Sequence, residues 1–113
     1  MERDFPLLTA EAVAFCWSAY LGEVAAADHP DASPLRAERL AGLPAAYVAV
    51  AGFDVLHDEG VAYAHALAAA GVPVTLRRYD DMAHGFLRWG GAVDRGRELV
   101  SELGAFARRA LRD

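Results

Sequence analysis

Asp54 and His84 are the two residues of this chain whose types and positions best suit acid–base chemistry. Asp54 follows residues 45–51, which are apolar throughout, as expected of a parallel strand covered on both faces. His84 follows a second predicted strand, residues 72–79. Because the carboxyl ends of parallel strands meet at one edge of a sheet, we expect both side chains to lie together there.

The two residue types are those of a general base, His84, and a carboxylate that orients it, Asp54. A carboxylate at Asp54 would accept the ring N–H of His84 and fix its tautomer. The other ring nitrogen could then take a proton from a nucleophile and return it to a leaving group. Histidine suits this role because it titrates near neutral pH. The spacing alone leaves a plainer interpretation open, in which Asp54 stabilises a turn and His84 is a polar loop residue.

The elements that would position these residues follow from periodicity and caps. Thr9 can begin a helix over residues 10–20, and Asp58 can cap a second helix that ends near Gly71. Residues 94–112 form an amphipathic pattern typical of a final helix. The predicted order is helix, irregular segment, strand, helix, strand, helix. The fold class is therefore α/β, with parallel strands flanked by helices and a right-handed crossover.

The composition excludes several classes of partner. The net charge of −5 is spread along the 113 residues, so we expect no nucleic-acid partner. The sequence has no stretch of 18 apolar residues and nothing that resembles a secretory signal peptide. It therefore predicts a cytoplasmic protein without membrane contact. No metal-binding spacing occurs, so we expect no metal and no cofactor. The single Cys16 cannot form an internal disulfide, and its apolar helical surroundings predict a buried thiol.

Two motifs and the stretch between them resemble the α/β-hydrolase superfamily, and within it the hormone-sensitive-lipase-like carboxylesterases. The family's D-x-L-x-D-E-G stretch, which holds its triad Asp, is matched over residues 54–60. Its G-M-x-H-G-F stretch, which holds its triad His, is matched over residues 82–86, with Asp81 where Gly is usual. The resemblance covers nearly all of the chain. It implies that Asp54 and His84 are catalytic. His57, where the family often has Arg, is interpreted as an exposed turn residue.

The family's other catalytic parts are not found. Ser18, Ser33 and Ser101 are the only serines, and none lies in the G-x-S-x-G turn that exposes the family's nucleophile. The H-G-G-G segment of its oxyanion hole is missing too. The chain is therefore expected to be the last quarter to third of an esterase, carrying strands seven and eight of an eight-stranded sheet. Residues 1–42 would follow the cap region, and residues 43–113 would be the C-terminal β-α-β-α part of the core.

The resemblance implies a fragment of a serine carboxylesterase or lipase that hydrolyses short to medium acyl esters and is inactive by itself. Prolyl-oligopeptidase-like peptidases and dienelactone hydrolases use the same Asp and His arrangement, but the D-x-x-x-D-E-G stretch favours the esterases. Two other interpretations remain open: a non-catalytic dimerisation or binding module, and one half of a split hydrolase whose Ser comes from another chain.

The expected partners are a small-molecule ester in the complete enzyme and a second copy of the chain. Two parallel strands leave two unpaired edges, and so small a sheet is marginal by itself. Strand eight commonly pairs across a dimer axis in related esterases. We therefore expect a homo-oligomer that forms through the second strand, from Val72 to Tyr79.

Overall fold

Two strands and three helices form in the part of the chain that the computed structural model describes, residues 7–22 and 29–112. The elements are α1 (Ala10–Leu21), β1 (Ala46–Phe53), α2 (His57–Ala69), β2 (Val74–Ala83) and α3 (Asp94–Arg112). Short 3₁₀ turns span Pro34–Arg36 and Phe86–Trp89. The predicted order of elements and the predicted α/β class are confirmed. The division after residue 42 stays a prediction, and residues 1–6 and 23–28 of its first segment lie outside the described residues.

The two strands pair in parallel, with Ala46 opposite Val74 and Ala51 opposite Tyr79. Successive residues of β1 face opposite sides of the sheet. Val50 faces α2, since its side chain lies against Gly60 of that helix, and Ala51 faces the other side. Both are buried, which explains why the sequence of β1 is apolar throughout instead of alternating.

The main core lies between the sheet and α3. Its buried members come from both strands, from the turn after His84 and from α3: Ala51, Tyr79, Phe86 and Leu99. The Tyr79 and Phe86 rings pack with centroids 4.8 Å apart, and Leu103 extends the apolar stripe of α3 along this cluster. The bounds predicted for α3 are confirmed.

Both strands extend beyond their predicted ends. Gly52 was expected to follow the first strand, but β1 continues to Phe53 and β2 continues to Ala83, where the two strands pair again after an irregularity. A Cβ atom at Gly52 would lie only 2.2 Å from the carbonyl oxygen of Asp80. The close approach allows pairing to resume, so the polar Asp80 and Asp81 lie within β2, beyond the predicted end of the strand at residue 79.

The sequence suggested Asp58 as the cap of α2, but the structure does not have this cap. The helix begins one residue earlier, at His57, and its N-cap residue, Leu56, makes no side-chain cap. Asp54 takes over the local hydrogen bonding instead, because its Oδ1 accepts the backbone N–H of Leu56 at 2.9 Å. Asp58 lies in the first turn, where its negative charge interacts favourably with the positive end of the helix dipole.

The prediction of a buried Cys16 is wrong. Thr9 caps α1 as expected, accepting the N–H of Ala12 at 3.1 Å, but only Val13 of this helix is buried. Cys16 is exposed, and the aromatic side chains of Phe15 and Tyr20 are 73% and 76% exposed. The apolar pattern of α1 was read correctly as helical, but too little of the described chain packs against it to bury that face.

The molecule is flat and has a large surface for its size. Its extents are 40 × 37 × 20 Å and its radius of gyration is 15.4 Å, against about 13 Å for a typical domain of this length. The accessible surface is 7886 Å². A folded monomer of 12.1 kDa would expose about 6,000 Å². The poorly covered α1 and the open edges of the two-stranded sheet both contribute to this excess.

Candidate active site

Asp54 is held in place by the turn that joins β1 to α2. It is the first residue after β1, and its Oδ1 accepts the N–H of Leu56. Its carbonyl oxygen accepts the N–H of His57 at 3.0 Å. The side chain is 11% exposed, so the second carboxylate oxygen, Oδ2, is directed towards a partner with little competition from water.

That partner is His84. Its Nδ1 lies 2.8 Å from Oδ2 of Asp54, within the range of a good hydrogen bond. An ionised carboxylate can only accept, so Nδ1 carries the proton in this contact and Nε2 of the neutral ring keeps a free lone pair. The His84 side chain is 38% exposed, which leaves the ring accessible from one side. The predicted meeting of the two residues beyond adjacent parallel strands is confirmed.

The backbone after His84 turns sharply. Gly85 has φ 73°, in the left-handed region that favours glycine, and the 3₁₀ turn that follows buries Phe86 in the main core. The N–H of Arg88 donates to the Gly85 carbonyl at 3.1 Å. The loop is therefore tied to the core immediately after the histidine, so His84 is held from both ends.

Two cavities meet at His84. One of about 410 Å³ runs along the open edge of β1, and besides His84 it contains Asp54 and His57. His57 was expected to be an exposed turn residue, but it lines this cavity and its Nδ1 contacts Asp58 at 2.9 Å. The other cavity, about 480 Å³, lies on the side of α1. Its lining is mainly apolar: Leu8, Val13, Cys16, Trp17, Tyr20, Ala32 and Leu56, with Asp31 and His84.

No serine of the chain reaches His84. Ser18 and Ser101 are exposed on α1 and α3, and Ser33 lies beside the turn at Pro34. None of the three lines either cavity that contains the histidine. The nucleophilic atom that does share a cavity with His84 is the thiol of Cys16. Sequence reasoning missed this, because it had assigned the residue to a packed helix face.

A polar network lies on the α3 side of the sheet. The hydroxyls of Tyr47 and Tyr79 both donate to Oε2 of Glu102, and Arg77 lies 3.8 Å from its Oε1. The hydrogen bond from Tyr47 and the nearby Arg77 hold the pKa of Glu102 below its usual value, although partial burial opposes them. Partial burial and the negative Glu102 raise the pKa of Tyr47 well above its usual value.

Among residues 7–22 and 29–112, no group of three or more potential ligands is arranged to hold a metal ion. Within the same residues, no helix has the length and apolar character needed to cross a bilayer. What the described site offers is therefore a carboxylate, an imidazole with one free nitrogen, and two cavities that meet at that imidazole.

A protein-family model described as an alpha/beta hydrolase fold matches residues 1–88. Among curated proteins, esterase LipI of Mycobacterium tuberculosis is 43% identical over 101 residues, covering 88% of this chain and 32% of LipI. Carboxylic ester hydrolase LipN of the same organism is 50% identical over 84 residues, covering 71% of this chain and 22% of LipN.

Among solved structures, the thermophilic carboxylesterase EstE1, cloned from a metagenomic library, superposes with a TM-score of 0.92 at 35% identity. The match covers 97% of this chain and 37% of EstE1. The chain thus spans about a third or less of the curated relatives LipI and LipN, in line with the quarter to third expected from the motifs.

Proposed function

Because the chain belongs to the α/β-hydrolase family, and within it to the hormone-sensitive-lipase-like carboxylesterases, we propose that Asp54 and His84 are the orienting carboxylate and the general base of an ester-hydrolysing triad. The observation that supports this most is the 2.8 Å contact between Oδ2 of Asp54 and Nδ1 of His84. The other oxygen of Asp54 is fixed by a backbone N–H, so the carboxylate has one orientation in which to hold the ring.

In the proposed reaction, Nε2 of His84 removes the proton of a serine hydroxyl while the serine oxygen bonds to the ester carbonyl carbon. The protonated ring then donates that proton to the alcohol oxygen as the carbonyl–alkoxy bond breaks. Water repeats the sequence on the acyl-serine and releases the carboxylic acid. Asp54 stabilises the imidazolium in both halves and keeps its own charge.

The serine in this proposal comes from outside these 113 residues, since Ser18, Ser33 and Ser101 do not line the cavities at His84. We place the incoming nucleophile in the cavity along the open edge of β1, which contains both Asp54 and His84. The apolar cavity beside α1 has the size of a small-molecule site and suits a short to medium acyl group. We propose a cytoplasmic location for the reaction.

A chimera tests the catalytic assignment. The part of EstE1 that this chain matches, 37% of that protein, would be replaced by the present sequence. Hydrolysis of p-nitrophenyl butyrate should be retained. His84→Ala and Asp54→Asn should each lower kcat by about 10⁴- to 10⁶-fold, with the larger loss for the base, as losses of a triad base or its partner do.

His65→Ala serves as the matched control, because His65 is exposed on α2 and lines neither cavity at His84. Its activity should stay within about twofold of the parent chimera. A folded, active chimera whose rate survives His84→Ala would remove both residues from the mechanism.

The isolated chain should not turn over p-nitrophenyl acetate faster than free imidazole does, since the nucleophile and its oxyanion hole supply most of the rate. Cys16→Ala distinguishes a hidden thiol nucleophile, because Cys16 shares the α1 cavity with His84. A rate that disappears in Cys16→Ala would contradict the proposed serine chemistry.

We further propose that the chain by itself forms a two-fold dimer through the open edge of β2, the strand predicted from Val72 to Tyr79 and found from Val74 to Ala83. The excess surface of about 1,900 Å² per chain is more than the roughly 800 Å² that each partner buries in a standard protein interface. This association is also what a non-catalytic dimerisation module would need, and the open edge of β1 is what one half of a split hydrolase would need. An inactive but folded chimera would favour the dimerisation module over both the esterase and the split hydrolase.

Hydrogen exchange of the isolated chain identifies the edge that pairs. In a β2-mediated dimer, successive backbone N–H groups of residues 74–79 should all be protected. In a monomer, protection should alternate, because only alternate groups face β1. Continuous protection in β1 with an alternating pattern in β2 would assign the interface to β1 and contradict the proposed dimer.

A further inference from the structure

The carboxylate of Glu102 connects α3 to both strands of the sheet. Tyr79 donates its hydroxyl to Oε2 of Glu102 at 3.3 Å, and Tyr47 donates to the same oxygen. The guanidinium of Arg77 lies 5.2 Å from the centroid of the Tyr79 ring and 3.8 Å from Oε1 of Glu102. Tyr79 is 2% exposed, so its hydroxyl has little access to water as an alternative partner.

Tyr79 is also the residue that supports the loop of His84. Its ring packs on Phe86 with centroids 4.8 Å apart, and Phe86 is two residues beyond the histidine. On the other side, α3 approaches the loop closely, since a Cβ atom at Gly96 would lie 3.0 Å from the carbonyl oxygen of Phe86. Leu99 completes the same buried cluster. A shift of Tyr79 would therefore reach His84 through one packed ring.

We propose that Glu102 is a positioning residue for His84. Its carboxylate fixes the hydroxyl end of Tyr79, Tyr79 fixes Phe86, and Phe86 fixes the loop that holds Nδ1 of His84 against Asp54. Glu102 touches neither the imidazole nor the substrate cavities, so its action is indirect. The importance of this positioning for catalysis rests on the proposed function, whereas the positioning itself is a property of the isolated chain.

The tautomer of His84 measures the positioning directly. A long-range ¹H–¹⁵N NMR correlation on the isolated chain, at a pH where the ring is neutral, gives the ratio of the Nδ1–H form to the Nε2–H form. Glu102→Ala should lower this ratio about two- to tenfold, the range that corresponds to losing one ordinary hydrogen bond. Glu102→Gln should restore most of it, because its amide oxygen can still accept both tyrosine hydroxyls.

The two tyrosines form a matched pair of controls. Tyr79→Phe removes only the hydroxyl that reaches Glu102 from the ring beside Phe86, and it should lower the His84 ratio in the same direction. Tyr47→Phe removes the other hydroxyl but keeps the ring, which packs against the core cluster and on Phe106 at 5.6 Å. The ring beside Phe86 also keeps its own hydrogen bond to Glu102, so the ratio should stay close to the parent value. These conservative variants also serve if Glu102→Ala does not fold.

His65 on α2 provides an internal standard in the same spectra. A purely structural role of Glu102 would lower the free energy of unfolding and leave the His84 ratio of the folded state unchanged. An unchanged His84 ratio in folded Glu102→Ala or Tyr79→Phe, or an equal change at His65, would overturn the proposal. Because no substrate is involved, this result is independent of whether the complete enzyme hydrolyses esters.

Discussion

Asp54 uses its two carboxylate oxygens for two different tasks. Oδ1 closes the turn into α2 by accepting from Leu56, and Oδ2 holds His84. The sequence had offered these as competing interpretations, a turn residue or a triad member, and the structure shows both contacts in one side chain. The meeting with His84 was predictable because two parallel strands joined by one helix place their carboxyl ends side by side.

The two contacts of Asp54 can be separated by stability measurements. Asp54→Ala removes both and should lower the free energy of unfolding by about 1–2 kcal/mol. Asp54→Asn keeps an oxygen for the Leu56 N–H, so its loss should be about half as large. Urea denaturation of the isolated chain measures both values. Equal losses in the two variants would mean that the Leu56 contact contributes nothing.

Cys16 could not be placed from its neighbours in the sequence. An apolar helix pattern indicates which residues share a face, but whether that face is covered depends on what packs against it. Val13 is buried and Cys16 is exposed, although both line the same cavity. We expect a disulfide exchange reagent to label Cys16 stoichiometrically in the native state, at a rate close to that of the unfolded chain. Labelling that requires denaturant would contradict the exposed position.

Glycine at position 52 sets where β1 and β2 can approach each other. The strands were predicted to end at residues 51 and 79, too early in both cases, because the apolar pattern of each strand ends there. The bare backbone at Gly52 lets the chain pass beside the Asp80 carbonyl, a contact that no local pattern reveals. The last residues of both strands, and hence the exact approach to Asp54 and His84, were beyond sequence reasoning for that reason.

Gly52→Ala should therefore be costly. Its methyl group would lie 2.2 Å from a backbone oxygen that cannot rotate away, so we expect a loss of about 1–3 kcal/mol in the free energy of unfolding. Gly91→Ala is the matched control, because a Cβ atom there meets nothing within 4 Å. Chemical denaturation compares the two. Similar stabilities for both variants would show that the strands separate more easily than their spacing indicates.

The polar contacts between α3 and the sheet make stability depend on pH at both extremes. The folded-state pKa of Glu102 is lowered from 4.5, so its contribution is complete above that pH and is lost as the pH falls further. The pKa of Tyr47 is raised from 10.0, so its contribution is complete below that pH and is lost as the pH rises above it.

The stability that Glu102 loses at low pH is small, because its side chain is 40% exposed and solvent screens its interactions. We expect Glu102→Gln to remove about 1 kcal/mol or less of the decrease in stability below pH 4.5. Urea midpoints from about pH 3 to pH 7 for the parent and the variant measure this difference. Parallel curves over that range would assign the acid sensitivity to other carboxylates.

At the scale of the whole molecule, the sequence indicated the fold class and the order of elements but not the extent of the surface. Composition alone excluded classes of partner and carried no information on how much of the sheet is present. The motifs carried the further prediction that the chain is part of a larger sheet, and the flat shape and the excess surface agree with it. Burial depends on neighbours, and this chain matches 32% of the length of LipI.

The parallel pairing of β1 and β2 also has a consequence for how the chain folds. Ala46 pairs with Val74, and Ala51 pairs with Tyr79, so every rung of the regular ladder joins residues 28 positions apart. No hairpin can start the sheet, and the loop through α2 must close before the first rung gains anything. We expect α2 to be formed in the folding transition state. Leu67→Ala, at a position only 2% exposed, should then slow refolding as well as speed unfolding in stopped-flow experiments.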